Sequence, residues 1–249
     1  MNPAPTARQA AIALVVPVWN DAARLARFGP ALAAELAASP LPVRWIIADD
    51  GSDPADRAAL AALRDELAAT FPAVEIHWAA RHRGKGAVVR EAWTLAPDAA
   101  WLAFADADGS VTATEMMALI ARAVADGRST LAARVNTATT HVESSPGREF
   151  MHHAYLFVAR WWLGLHSQDL QCGAKVIKGD DYRTIAPALR EEGWAFDSEM
   201  LLAMRRRGMD WQEIPVNWTA QAGGKIKPVR DAIRMFAALW RIKRRLSDA

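Results

Sequence analysis

Five short apolar runs punctuate the first half of the chain: AIALVVPVW (11–19), VRWIIADD (43–50), VEIHWAA (74–80), WLAFADAD (101–108) and STLAARV (129–135). Each is close to continuously apolar rather than alternating, the pattern of a strand buried on both faces. Between them lie alanine- and leucine-rich segments with helical spacing, 54–69 and 85–96, and in the first Leu60, Leu63 and Leu67 share a face. Thr112 or Thr114 opens a further helix with Glu115 in its first turn. Apolar strands alternating with helices predict an α/β domain with a mostly parallel central sheet flanked by helices.

Such sheets collect ligands beyond the carboxyl ends of their strands. Three of the runs finish there in polar clusters: PVWND, ADDGSDP and ADADGS. In the last, Asp106 and Asp108 stand at i and i+2 and share one side of an extended chain. A divalent cation carrying a phosphate would relieve their repulsion; a plain Asp-Gly turn is the other reading. In ADDGSDP, Asp50 can accept from a base or a ribose hydroxyl, or the segment is a turn capped by Asp53. RHRGKG (81–86) suits phosphate through backbone N–H groups and Lys85, or is a solvated basic loop. It fits neither the dinucleotide fingerprint nor the P-loop.

The second half is different in character. Residues 136–149 are polar and read as a mobile loop, 150–165 as an aromatic-rich helix, and a further helix starts near Asp197. WQEIPVNW (211–218) is a short strand with Pro215 at an edge or bulge. The segments 1–10, 11–226 and 227–249 read as a flexible N-terminus, one domain and a basic amphipathic helix. From Lys225 to Leu246, eight cations face one anion, Asp231, a net +7 that leaves −5 for the rest of a chain totalling +2. That total gives no reason to expect a nucleic-acid partner. Cys172 is the single cysteine, so no internal disulfide forms and an intracellular setting is expected. No apolar run approaches the roughly 20 residues of a membrane span, and the first run, with Pro17 and no small-residue cleavage site, reads as a strand rather than a signal peptide.

Taken in order, these segments resemble a family 2 glycosyltransferase of the A type, the GT-A fold. VVPVWND resembles the opening P-x-Y-N-E, with Trp19 for tyrosine and Asp21 for glutamate; ADDGSDP resembles the D-D-G-S turn. RGKGAVVREA is similar to N-x-G-K-G-x-A, with His82 at the asparagine, and ADADGS to the D-x-D motif. Further on, DLQCGAKVI (169–177), WAFDSEMLL (194–202) and IPVNWTAQAGGKI (214–226) are similar to segments of polyprenyl-phosphate hexose synthases, closest to the dolichyl-phosphate β-glucosyltransferase branch.

The resemblance implies that Asp108 ligates Mg²⁺ or Mn²⁺ and that Asp106 contacts the ribose or the ion. It places Pro17, Trp19, Asp21, Asp50 and Lys85 around the donor nucleotide, and Lys225 on its diphosphate, with Gly224 at the family's serine. Arg134 and Arg148 become candidate phosphate ligands for the acceptor. Asp197 and Glu199 fall where a hydroxyl acceptor would need a general base; with a phosphate acceptor, Asp197 positions a substrate or an arginine instead. The implied activity is inverting, metal-dependent transfer of a hexose, glucose from UDP-glucose ahead of a GDP-hexose, to a polyprenyl phosphate at the cytoplasmic face of a membrane. Ile233, Phe236, Leu239 and Trp240 of the C-terminal helix would touch that membrane, or else pack on the domain. The alternatives are the same fold acting on a hydroxyl acceptor (lipid, saccharide or small metabolite), or a non-catalytic membrane-surface module.

Overall fold

The computed structural model describes residues 12–221 and 228–247, with the backbone alone at Arg148, 228–233 and Ser247. The N-terminal segment 1–10 and Lys225 lie outside the described residues. The first half alternates as its pattern requires: β1 (Ile12–Val18), α1 (Ala22–Ala38), β2 (Val43–Asp49), α2 (Pro54–Thr70), β3 (Val74–Trp78), α3 (Lys85–Trp93), β4 (Trp101–Ala105), α4 (Ala113–Asp126) and β5 (Ser129–Ala133). There follow β6 (Val142–Glu143), α5 (Pro146–Val158) with a π-helical turn (Ala159–Leu163), β7 (Ala174–Lys178), α6 (Gly179–Ile185), α7 (Phe196–Arg206), β8 (Trp211–Pro215), β9 (Trp218–Thr219) and α8 (Pro228–Ser247).

Among the described residues the main sheet has seven strands in the order β3-β2-β1-β4-β7-β5-β8. All run the same way except β7, which is antiparallel to both β4 and β5. The sheet is therefore mostly parallel, and β8 with Pro215 forms one edge, where a missing N–H does least harm. Successive residues of a strand face opposite layers. Leu14, Val16 and Ile47 enter one core, while Val15, Ile46 and Phe104 enter the other. Each such side chain contributes about 1.5–3 kcal/mol when fully buried.

Local chemistry sets the helix ends. Asp53 caps α2 by accepting from the Asp56 N–H at 2.9 Å, and Thr112 caps α4 through the Glu115 N–H at 3.2 Å. The first turn of α1 is capped from outside: the Asp56 carboxylate accepts from the N–H groups of Asp21 and Ala22 at 3.1 and 3.0 Å. Leu60, Leu63 and Leu67 are all buried, as their spacing predicts. The polar segment 136–149 is partly ordered by pairing: β6 lies parallel to β9, and Thr137 and Thr140 bond each other at 2.8 Å.

The face expected for α8 is divided. Ala238, Leu239, Ile242 and Leu246 are buried in the second core, whereas Trp240 is 54% exposed. Among the described side chains the apolar stripe of this helix is thus spent largely on the domain, while the side chain of Ile233 lies outside them. Among the described residues no helix is long and apolar enough to cross a membrane.

Candidate active site

Parallel register brings the polar strand ends to one edge. Val18 pairs with Asp49 and Asp49 with Trp78, so the residues after β1, β2 and β3 emerge side by side. Because β7 is reversed, its beginning meets the end of β4: Ala105 pairs with Ala174, and the Asp106 N–H donates to the Gly173 carbonyl at 2.8 Å.

The paired aspartates of the second strand divide their work. Asp49, fully buried, accepts from the Ser52 N–H at 3.1 Å and pairs with Arg57 Nε at 2.8 Å. Asp50 reaches across to the loop after β3 and accepts from the Arg83 and Gly84 N–H groups at 2.9 and 2.7 Å, with His82 Nδ1 at 2.7 Å. Burial pushes the Asp50 carboxyl up, while those N–H groups and His82 oppose the shift. The His82 ring stacks on Trp19, centroids 3.9 Å apart and planes 14° apart. Pro17, one layer back in β1, pairs with Ala48. Asn20 takes the left-handed conformation at φ 47° and bridges the two turns, its side-chain oxygen accepting from the Asp53 N–H at 2.7 Å. These contacts make one shelf of Trp19, Asp50 and the 81–84 loop.

Beside the shelf lies a compact charge cluster. Lys85, the first residue of α3, is buried, with Nζ 2.7 Å from Asp106 and 3.9 Å from Asp197. Lys175 of β7 is fully buried, 3.0 Å from the other oxygen of Asp197, and donates to the Cys172 carbonyl at 2.7 Å. Both ammonium groups lie over the Phe104 ring, at 4.6 and 5.5 Å. Burial pulls Lys85 down, but Asp106 and Asp197 outweigh it and hold the ammonium charged. Asp108 turns its own loop, accepting from the Ser110 N–H at 2.9 Å, and its other oxygen is 3.9 Å from Arg24. Arg24 also lies 3.5 Å from Asp21, so it ties PVWND to the D-x-D.

Gly173 completes the cradle. A methyl group at its Cα would fall inside the van der Waals radius of Asp106 Oδ2. Gly173→Ala is therefore expected to displace that carboxylate and lower transfer by about tenfold or more, on the scale of a misplaced reacting group. Thermal unfolding and turnover measured together check this, and full turnover would show that the cradle is not used.

On the far side of β7, Arg134 follows β5. It forms a fork with the fully buried Asp169, Nε–Oδ2 2.5 Å and Nη2–Oδ1 2.9 Å, and its Nη2 meets His152 Nδ1 at 3.1 Å. The guanidinium also lies 5.2 Å from the centre of the Trp218 ring. Burial opposes the charge on Arg134, yet Asp169 raises it overall. Asp169 is buried too, but Arg134 holds its carboxyl down to about 2. His152 is pushed down, chiefly by burial.

Not every expected residue joins these groups. Positions two apart on a helix diverge by about 200°, and Glu199 accordingly points away from the cluster that holds Asp197. Its fully buried carboxylate accepts from the Arg190 and Glu191 N–H groups, the latter at 2.7 Å, and pairs with Arg245 of α8. That geometry corrects the expectation of Glu199 as a base: it anchors the C-terminal helix. The Arg148 side chain lies outside what is described. Cys172 is buried, with its thiol pushed up to about 12 by burial, as an inert packing residue should be. Sequence reading missed Arg24, His152, Asp169 and Lys175 as site residues, although the last two stand inside the DLQCGAKVI segment.

Among the described residues no group of three or more His, Cys, Asp or Glu side chains could hold a metal ion. Asp106 and Asp108 still fit one: they offer hard oxygen donors, and Asp106 already neutralises a cation at Lys85. Two carboxylates are enough for Mg²⁺ or Mn²⁺ when substrate phosphates supply the rest.

The comparisons with known proteins agree with this architecture. The family model "Glycosyl transferase family 2" matches residues 13–191. The chain is 30% identical over 214 residues to a dolichyl-phosphate β-glucosyltransferase of Saccharomyces cerevisiae, covering 77% of this chain and 62% of that protein. A second relative, dolichyl-phosphate β-glucosyltransferase ALG5C of Trichomonas vaginalis, is 27% identical over 92% of this chain and 73% of its own length. The chain thus spans somewhat under two thirds of the yeast protein. In fold it is similar to glucosyl-3-phosphoglycerate synthase of Mycobacterium tuberculosis in complex with Mn²⁺, UDP-glucose and phosphoglyceric acid, with a TM-score of 0.64, 14% identity, and 98% of this chain and 85% of that one covered. At that identity the likeness establishes the GT-A fold. With the matched family model extending over more than half its length, the chain belongs to glycosyltransferase family 2.

Proposed function

We propose that the chain is an inverting, metal-dependent hexosyltransferase that moves glucose from UDP-glucose onto a polyprenyl phosphate at the cytoplasmic face of a membrane. The observation that carries this reading is the spacing of two fixed sites on one sheet edge. Asp106 leaves β4 and Arg134 leaves β5, with only β7 between them. Two strand spacings are on the order of 10 Å, room for one sugar ring between a donor diphosphate and an acceptor phosphate.

Trp19, Asp50 and the 81–84 loop form the shelf for the nucleoside. Asp106 and Asp108 would hold the ion, which when bound supplies Lewis-acid stabilisation of the departing diphosphate. Lys85, fixed beside Asp106, adds a buried positive charge at the same place, in an environment that strengthens its effect. Arg134 is locked in orientation by Asp169 and His152, which engage Nε and Nη2, and its Nη1 end can give a phosphate charge-assisted N–H bonds. An acceptor oxygen would attack the anomeric carbon from the side opposite the diphosphate; the new C–O bond forms as the bond to the UDP oxygen breaks, with inversion. A phosphate monoester is already anionic near neutral pH, so no proton need be removed. Asp197 suits this route, because it is engaged as counter-ion to two lysines.

The test is product formation from UDP- and GDP-sugars, with Mg²⁺ or Mn²⁺, against short polyprenyl phosphates and the matching neutral polyprenols. Glucosylated lipid phosphate and UDP are expected. Transfer to the polyprenol alone would move the chain to the hydroxyl-acceptor class.

A further inference from the structure

Helix α5 and its π-helical turn have two faces of opposite character. On the inward face Tyr155 and Ala159 are buried, Tyr155 bonds Ser198 at 2.7 Å and lies 6.1 Å from Phe236 of α8, and His152 reaches Arg134. On the outward face Phe150, Phe157 and Trp161 are 70, 69 and 73% exposed. Positions i, i+7 and i+11 form a single stripe along a helix.

Helix α8 packs against the π-helical turn and extends this surface. Lys243 stands 4.0 Å from the centre of the Trp162 ring, which neighbours Trp161 at 5.6 Å; Arg244 lies over the exposed Trp240. Arg160, next to Trp161 in the chain, and Arg244 are exposed as well. Exposed aromatic groups in one patch mark a contact surface. The flanking cations identify what it contacts. A twofold contact with a second copy would set the patch, cations included, against itself, whereas an anionic surface complements it.

We infer that the outward face of α5 and its π-helical turn, with Trp240 of α8, docks on an anionic lipid bilayer. Tryptophan and phenylalanine enter the headgroup boundary while arginine and lysine meet the lipid charges. The inference deepens the lipid-phosphate reading and rests on it. The same helix that touches Arg134 on one side carries the aromatic stripe on the other, so a lipid whose phosphate reaches Arg134 keeps its chain in the bilayer beside α5.

The test is co-sedimentation of the full chain with vesicles of phosphatidylcholine alone or with about 30% phosphatidylglycerol, a content that makes the surface strongly anionic. The protein is expected on the anionic vesicles, and the double variant Phe157→Ser/Trp161→Ser to bind them about tenfold more weakly, as loss of two interfacial anchors implies. The variant should keep its thermal midpoint, its UDP binding and its transfer to a short, water-soluble polyprenyl phosphate, and lose transfer to a long acceptor embedded in vesicles. Failure of the unmodified chain to sediment, or equal binding by the variant, would overturn the docking surface. So would a dimer that the two substitutions dissolve while vesicle binding is absent. Vesicle binding without transfer to any polyprenyl phosphate would instead remove the acceptor reading.

Discussion

Asp108→Ala is expected to lower sugar transfer by about a thousandfold, the several kcal/mol that a metal and its charge stabilisation supply at a leaving diphosphate. The same change removes the acceptor for the Ser110 N–H, which costs about 1 kcal/mol and shifts the thermal midpoint by only about 2–4 °C. Asp108→Asn separates the two effects. The amide oxygen still accepts from Ser110, so stability should match the unmodified chain, but the charge is gone and activity should fall nearly as far. Asp106→Asn should behave alike in turnover and, by loosening Lys85, differ in stability. Product formation with saturating Mn²⁺, alongside thermal unfolding, reads both. An Asp108→Asn enzyme with full turnover would mean that the carboxylate serves only the turn.

The reason Asp106 and Asp108 could be placed at a strand end from sequence is that their position depends on local pattern. A buried parallel strand must end, ligands collect where it ends, and two carboxylates there are conspicuous. Asp50 and Lys85 follow the same logic, as do the caps Asp53 and Thr112. Lys175, Asp169 and His152 are different, because their roles come from β7 running backwards between β4 and β5. No local periodicity reveals that insertion, so Lys175 reads as an ordinary strand residue until it meets Asp197. Glu199 failed in the opposite way: its closeness in sequence to Asp197 suggested a shared site, and helical geometry separates them. In α8 the amphipathic pattern was plain, but the choice between domain and membrane depended on tertiary packing. Leu239 went inward, and the unclaimed aromatic surface emerged mainly on α5.

Asp169→Ala is expected to destabilise the fold by about 3–5 kcal/mol, because it leaves the Arg134 guanidinium buried without its counter-charge. That corresponds to a fall of about 6–20 °C in the thermal midpoint for a domain of this size. The pair also sets an acid limb on stability. Asp169 is held at about 2 in the folded chain, below its ordinary 3.8. A depressed carboxylate contributes stability that is complete above its unfolded value and is lost as pH falls from about 4 toward 2. Asp169→Asn should therefore be less stable at neutral pH and flatter than the unmodified chain across that window, in chemical denaturation at stepped pH. Donor binding should survive in Asp169→Asn, since the shelf around Asp50 is built at the ends of β1, β2 and β3 while Arg134 follows β5, two strands beyond β4, and the acceptor KM should rise as Arg134 loses its fork. Arg134→Lys tests the same point from the other partner: it keeps the positive charge, lacks the paired N–H geometry, and should weaken acceptor use more than stability. Equal loss of donor and acceptor affinity in both variants would show that the pair supports the sheet edge as a whole, and would separate Arg134 from the acceptor.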